Sequence, residues 1–131
     1  MGRIIRTIKI KKDPEGPGKE VTAIFDTGAE RSYVKRSKLP DDVTCQPIAG
    51  FTSGLGGKDH QIQERCILNA EIEKLPFDIS AHPIENIGII DGEDIDVIVG
   101  ATTMEEWDIR PLPKKKELDL TGLKKREFTE L

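Results

Sequence analysis

The chain has 131 residues, one domain's worth, and is long enough to bury a core without metal or disulfide support. Aromatics make up only 5 %, so the core must be mostly aliphatic; Ile recurs in nearly every segment and suits a pleated, half-buried surface. A net charge of −4 disfavours a general nucleic-acid role, and no apolar run approaches the about 20 residues that a membrane helix needs.

From the N-terminus, RIIRTIKI (3–10) places Ile4, Ile8 and Ile10 on one strand face, with Arg6 interrupting it. KKDPEGPG then turns the chain, since Pro fixes φ and Gly supplies positive φ. KEVTAIF (19–25) returns as the second strand of a hairpin and stops at Asp26-Thr27-Gly28-Ala29. Past Ser32-Tyr33-Val34, a polar, Pro-punctuated stretch runs to Pro47. GFTSGLGG (50–57), with four glycines in eight positions, reads as a flexible hairpin loop. From 62 to 72, Ile62, Cys66, Leu68, Ala70 and Ile72 share one parity and polar residues dominate the other, the period-two mark of a half-buried strand or of two joined ones. PFDISAHP (76–83) is a further short strand, and DVIVG (96–100) has the continuous apolar character of a fully buried one. ATTMEEWDI begins a short helix, with Thr102 or Thr103 as its cap, Glu105 and Glu106 in its first turn, and Met104 and Trp107 toward the core. KELDLTG (116–122) is a last strand, and LKKREFTEL ends the chain as helix or frayed tail.

The sequence carries chemistry at FDTGA (25–29). A lone DTG is common by chance, but here the Asp ends a β-branched strand. A second signal, Ile98-Val99-Gly100, closes another buried strand some seventy residues later, and a glycine-rich hairpin lies between the two. That ordered triple resembles the retropepsin-like aspartic proteases, over roughly residues 3–110. The resemblance implies an all-β fold with one or two short helices, in the form of a closed, mostly antiparallel barrel. It implies an active homodimer in which each chain supplies one catalytic Asp and one flap, acting on extended polypeptide and without a cofactor. By that resemblance Asp26 is the catalytic residue, Thr27 and Gly28 hold the loop, and Ile98, Val99 and Gly100 brace it. Gly28, Ala29 and Glu30 edge the substrate cleft, and residues about 50–58 form the flap, with Phe51, Leu55 and Gly56 toward substrate. The protease domain would span 1–113. Viral members carry an Arg after the second Gly, where this chain has Ala101, so the dimer must be secured otherwise; the strand and tail 114–131 are the candidate. Arg31 is a candidate partner for an acidic residue.

The chemistry agrees with the resemblance. Peptide hydrolysis needs a water nucleophile and a proton for the leaving amine, which two carboxylates sharing one proton supply. The chain has a single DTG, so a pair requires a twofold axis passing near Asp26. Two other readings keep the same fold: a dimeric module that binds peptides without cutting them, and a domain whose only output is assembly.

Other features carry less. Gly57-Lys58 precedes Asp59, where a phosphate-binding loop needs Ser or Thr. Asp91, Glu93, Asp94 and Asp96 lack Ca²⁺-loop spacing and read as a solvated turn. The basic runs at 114–116 and 124–126 read as solvated faces. His60 and His82 have no metal spacing. Cys45 and Cys66 suggest neither a disulfide scaffold nor a thiolate metal site, and Cys66 falls on the apolar parity. With no signal peptide evident in MGRIIRTIKIKK, the expectation is a soluble, cytoplasmic protein with reduced thiols and no membrane partner.

Overall fold

In the computed structural model, which describes residues 3–126, the chain opens with an antiparallel hairpin. β1 (Arg3–Lys11) and β2 (Lys19–Asp26) pair from Arg3 opposite Asp26 to Ile10 opposite Lys19. The Pro/Gly-rich link turns as its composition predicts, with the Gly16 N–H donating to the Asp13 carbonyl at 3.0 Å. Ile4, Ile8 and Ile10 are buried. Arg6, on the same face, carries its guanidinium out to the Lys116 carbonyl at 2.7 Å.

Next come β3 (Ser32–Lys35), β4 (Cys45–Ser53), β5 (His60–Ile72) and β6 (Leu75–Ile84). The alternation read at 62–72 holds: Ile62, Cys66, Leu68, Ala70 and Ile72 are all buried in β5. β4 falls in a stretch that the sequence presents as polar and punctuated by proline. It has no fully buried residue and only β5 beside it, so no alternation marks it, and Pro47 is tolerated on its open edge. A two-residue hairpin through Asp91 and Gly92, both at positive φ, links β7 (Ile89–Ile90) to β8 (Glu93–Asp94). This is the solvated acidic turn. β9 (Val97–Val99), α1 (Ala101–Trp107), β10 (Arg110–Leu112), β11 (Glu117–Asp119) and α2 (Thr121–Lys125) complete the described chain. The last strand expected near 116–122 is β11, paired only with β10 in a separate small sheet. α2 enters the expected tail, whose residues 127–131 lie outside the described residues. No helix among the described residues is long and apolar enough to cross a membrane.

Six strands close into a barrel in the order β1-β2-β9-β3-β6-β5, with β5 returning to β1 through Lys9–Glu71, Ile10–Ala70 and Lys11–Asn69. The barrel is mainly antiparallel, as the resemblance implies, but β2–β9 and β3–β6 run parallel. β9 is inserted between β2 and β3, which follow one another in the chain. The segment 27–31 must therefore cross the end of β9 to reach β3. Two apolar clusters fill the structure. The larger holds Ile8, Ile10, Phe25, Leu68, Ile79, Val97, Val99 and Met104; the smaller holds Ile24, Tyr33, Ile62, Ile84, Ile95 and Ile98. Met104 and Trp107 both contact the core as predicted: Met104 is buried, and the half-buried Trp107 packs against the larger cluster, its ring edge-on to Phe77 and under the Arg126 guanidinium.

Two expectations are corrected. Cys45 and Cys66 are not separate thiols: hairpin pairing sets them directly opposite one another and they form a disulfide. Their spacing of 21 residues carries no sign of this, because only the strand register makes them neighbours. The α1 cap is Gly100, with no side-chain cap and no acidic residue in the first turn. The helix starts earlier than Thr102 because loop carbonyls satisfy its first amides.

Asp96 locks the inserted strand. It is 7 % exposed, and its carboxylate accepts from the Thr22 N–H at 2.9 Å and meets Lys35 Nζ at 3.3 Å. Its backbone bonds Thr22 on β2 and Lys35 on β3. Burial lowers the Lys35 pKa, but hydrogen bonds and Coulombic attraction from Asp94 and Asp96 outweigh it and leave the pKa raised. A raised lysine pKa stabilises the fold fully below the ordinary lysine value, and the contribution is lost as pH rises through the folded value. Asp96→Ala leaves the Thr22 amide without its acceptor and Lys35 to the exposed Asp94 alone, and is expected to cost about 2 kcal/mol in urea unfolding at neutral pH. The gap to the parent protein should narrow in strong alkali, where Lys35 is neutral in both.

Candidate active site

Asp26 ends β2 at the rim of the barrel and is half-buried. One of its carboxylate oxygens, Oδ1, accepts from the Gly28 N–H at 2.8 Å, and its carbonyl accepts from the Ala29 N–H at 3.1 Å. These two bonds form a tight turn in which the aspartate's own side chain helps fix the backbone. Thr27, Gly28 and Glu30 are exposed on the turn, and Ala29 is half-buried.

The turn is held from below by the start of α1. Ala101 N–H donates to the Ala29 carbonyl at 2.7 Å, and Thr102 N–H to the Glu30 carbonyl at 3.1 Å. The first amides of a helix have no partner within the helix, and here they hold the loop. A buried side-chain link adds to this. Gly100 N–H donates to Ser32 Oγ at 2.9 Å, and Ser32 Oγ shares a 2.7 Å hydrogen bond with Thr103 Oγ1. Gly100 has no alternative: a Cβ there would overlap the Arg31 carbonyl and stand 2.9 Å from the Ala29 carbonyl oxygen. Of the other two bracing residues named from the sequence, Val99 pairs with Phe25, next to Asp26, and Ile98 lies between Ile24 and Tyr33.

The glycine-rich segment is the tip of the hairpin formed by β4 and β5, with Phe51 opposite Ile62 and Ser53 opposite His60. Leu55 and Gly56 lie in a short 3-10 turn at that tip, Gly56 at φ 61°. Phe51 and Leu55 pack on the smaller apolar cluster, as does Ala29 of the Asp26 turn, so hairpin and turn share one support. Arg31, a candidate partner for an acidic residue, lays its guanidinium over the Phe51 ring at 4.3 Å, a cation–π contact that joins the turn to the hairpin. Tyr33 Oη and Ser53 Oγ add a 3.1 Å hydrogen bond. Among the described residues, no hydrogen bond runs from the hairpin to Asp26 itself.

Beside the turn is a cavity of about 480 Å³, whose lining includes Glu30, Arg31, Phe51, Arg65, His82 and Glu106. His82 is 4 % exposed. Its ring is edge-on to Phe51 at 5.3 Å and its Nδ1 is 2.8 Å from the Glu64 carbonyl oxygen. Sequence reading gave no site role to Ser32, Thr103, Arg65 or His82. Ser32 and Thr103 are 71 positions apart, and no local pattern marks either as a partner of the other.

The site is thus a single carboxylate on a rigid turn, flanked by a mixed-charge cavity and by a hairpin packed on the same apolar support. One carboxylate can accept or donate one proton, but it cannot do both in the same step.

No protein-family model and no curated protein matches the chain. Among solved structures, the chain is similar to the solution structure of simian foamy virus (mac) protease, with 16 % identity, coverage of 81 % of this chain and 97 % of that chain, and a TM-score of 0.48.

Ser32→Ala leaves the Gly100 amide without its acceptor and the Thr103 hydroxyl without its partner. A loss of about 2 kcal/mol is expected in urea unfolding, with an unchanged m-value. Gly100→Ala should cost more, about 3 kcal/mol, because the atoms in the way are backbone and cannot swing aside.

Proposed function

We propose that this protein is a homodimeric aspartic endopeptidase that hydrolyses extended polypeptides with two Asp26 carboxylates, one from each chain. The observation that carries the reading is the Asp26-Thr27-Gly28 turn, fixed at the barrel rim by α1 and sharing an apolar support with the glycine-rich hairpin. In this reading, an ionised Asp26 takes a proton from water, which attacks the scissile carbonyl. The partner chain's Asp26, protonated, polarises the carbonyl oxygen, and a proton then passes to the leaving amine. Two like charges a few ångströms apart do not ionise together easily, so the pair shares one proton in the working pH range, and its pKa values belong to the pair. Gly28, Ala29 and Glu30 edge the cleft. The hairpin tip, with Phe51, Leu55 and Gly56, acts as the flap that lies over the peptide and shields it from water. Thr27 ties the two loops across the axis. With no Arg at position 101, main-chain bonds from α1 hold the turn within each chain, and segment 114–131 contributes to fixing the dimer.

The test is cleavage of a denatured polypeptide at mildly acidic pH by the protein and by Asp26→Asn. The variant should lose at least about a hundredfold in rate. The parent's rate per chain should rise with protein concentration through the dimerisation range, and its pH profile should be bell-shaped. Equal cleavage by both proteins removes Asp26 from the reaction. Peptide binding without turnover by either would replace the peptidase with a binding module on the same fold.

A further inference from the structure

The two strands of the hairpin are anchored unevenly: β5 runs on past the hairpin into the barrel, where residues 66–72 pair with β6 and 69–71 also with β1, whereas β4 has β5 as its only strand neighbour. The β4–β5 ladder is also broken in the middle. Cys45, Gln46 and Pro47 pair with Cys66, Arg65 and Glu64; the register then shifts, and pairing resumes only at Phe51 opposite Ile62. Pro47, at the edge of the break, has no N–H to donate. The disulfide joins the first of these pairs. The two Cα atoms are 4.4 Å apart, the spacing of a narrow cross-strand pair that exchanges no backbone hydrogen bonds. The link therefore supplies a tether at a step where the ladder supplies none. Cys66 is 1 % exposed and belongs to the larger apolar cluster, so the bond ties the start of an exposed edge strand into the main core. Everything from Cys45 to Cys66, including the tip, lies inside the closed loop.

We propose that the Cys45–Cys66 disulfide is a redox-sensitive staple that sets the mobility of the β4 arm. Cys45 is half-buried and Cys66 fully buried, so a thiolate from a dithiol reductant attacks the Cys45 sulfur. The S–S bond breaks, Cys66 leaves as thiolate, and a mixed disulfide forms on Cys45. The reductant's second thiol displaces Cys45 and the reductant departs as its own disulfide, so two electrons and two protons end on the two cysteines. With the staple open, β4 is held by two short runs of pairing on either side of the break. Phe51 lies on this arm beneath the Arg31 guanidinium, so the state of the bond reaches the turn that bears Asp26. The inference does not depend on the peptidase reading, and its test measures no cleavage.

Protein equilibrated with oxidised glutathione, then unfolded in guanidinium chloride, is treated with an alkylating reagent before and after dithiothreitol. No thiol should react before reduction and two should react after it. In the native protein, amide hydrogen exchange over 46–53 should quicken by about tenfold on reduction, while exchange over 69–71, paired with both β1 and β6, stays put. Cys45→Ser should show the fast exchange without any reductant; this substitution avoids disturbing the buried Cys66 position. Two reactive thiols in the glutathione-equilibrated protein would overturn the proposal. So would exchange over 46–53 that is the same in both redox states.

Discussion

The segment from Thr27 to Arg31 has to pass over the end of β9, because β9 separates two strands that are consecutive in the chain. The crossing happens at Gly100, where the Arg31 and Ala29 carbonyls come closer than any side chain would allow. Everything around Asp26 follows from that close approach. α1 begins directly beneath the crossing, so its unpaired first amides face the loop carbonyls and bond them. Ser32, the first residue past the crossing, accepts from the Gly100 amide and reaches Thr103 in the first turn of α1. The Asp26 turn is rigid for a topological reason: it bridges two barrel strands and is pinned by the element that follows the third.

With Ala at position 101, no side chain from the start of α1 makes a charged tie to this turn. A charged tie holds a loop with long side chains and is sensitive to salt and pH. Here the loop is held by main-chain amides and buried hydroxyls, none of which titrates near neutral pH. The one strongly charged lock near the insertion, Asp96 with Lys35, lies at the other end of β9, where it fixes the strand between β2 and β3 and leaves the rim free of it.

The hairpin is built on a different principle. Its base, through Cys66, belongs to the larger cluster, while Phe51, Leu55 and Ile62 belong to the smaller one. Between base and tip the ladder is interrupted, so the outer half leans on apolar packing, on the Arg31–Phe51 contact and on Tyr33–Ser53. An edge strand with few buried residues has little to hold it in one place. A covalent link ties its root to the main core.

The sequence by itself determined the features that depend on near neighbours. The β1–β2 turn was legible from its prolines and glycines, β5 from its strict alternation, β9 from its unbroken apolar run, and the DTG turn from the strand it ends. Resemblance in the order of loop, hairpin and buried strand pointed to a barrel, and the barrel is there, with two parallel ladders that local pattern could not specify. What stayed illegible depends on residues far apart in the chain. β4 was missed because an exposed edge strand needs no hydrophobic alternation. The α1 start was misplaced because its first amides bond loop carbonyls some seventy residues earlier, and the capping residue, Gly100, offers no side chain to mark it. The disulfide, the Ser32–Thr103 bond and the Arg31–Phe51 contact were decided only by tertiary structure. Each joins groups whose distance is set by strand register and by the crossing at Gly100, and neither quantity is written into any local run of residues.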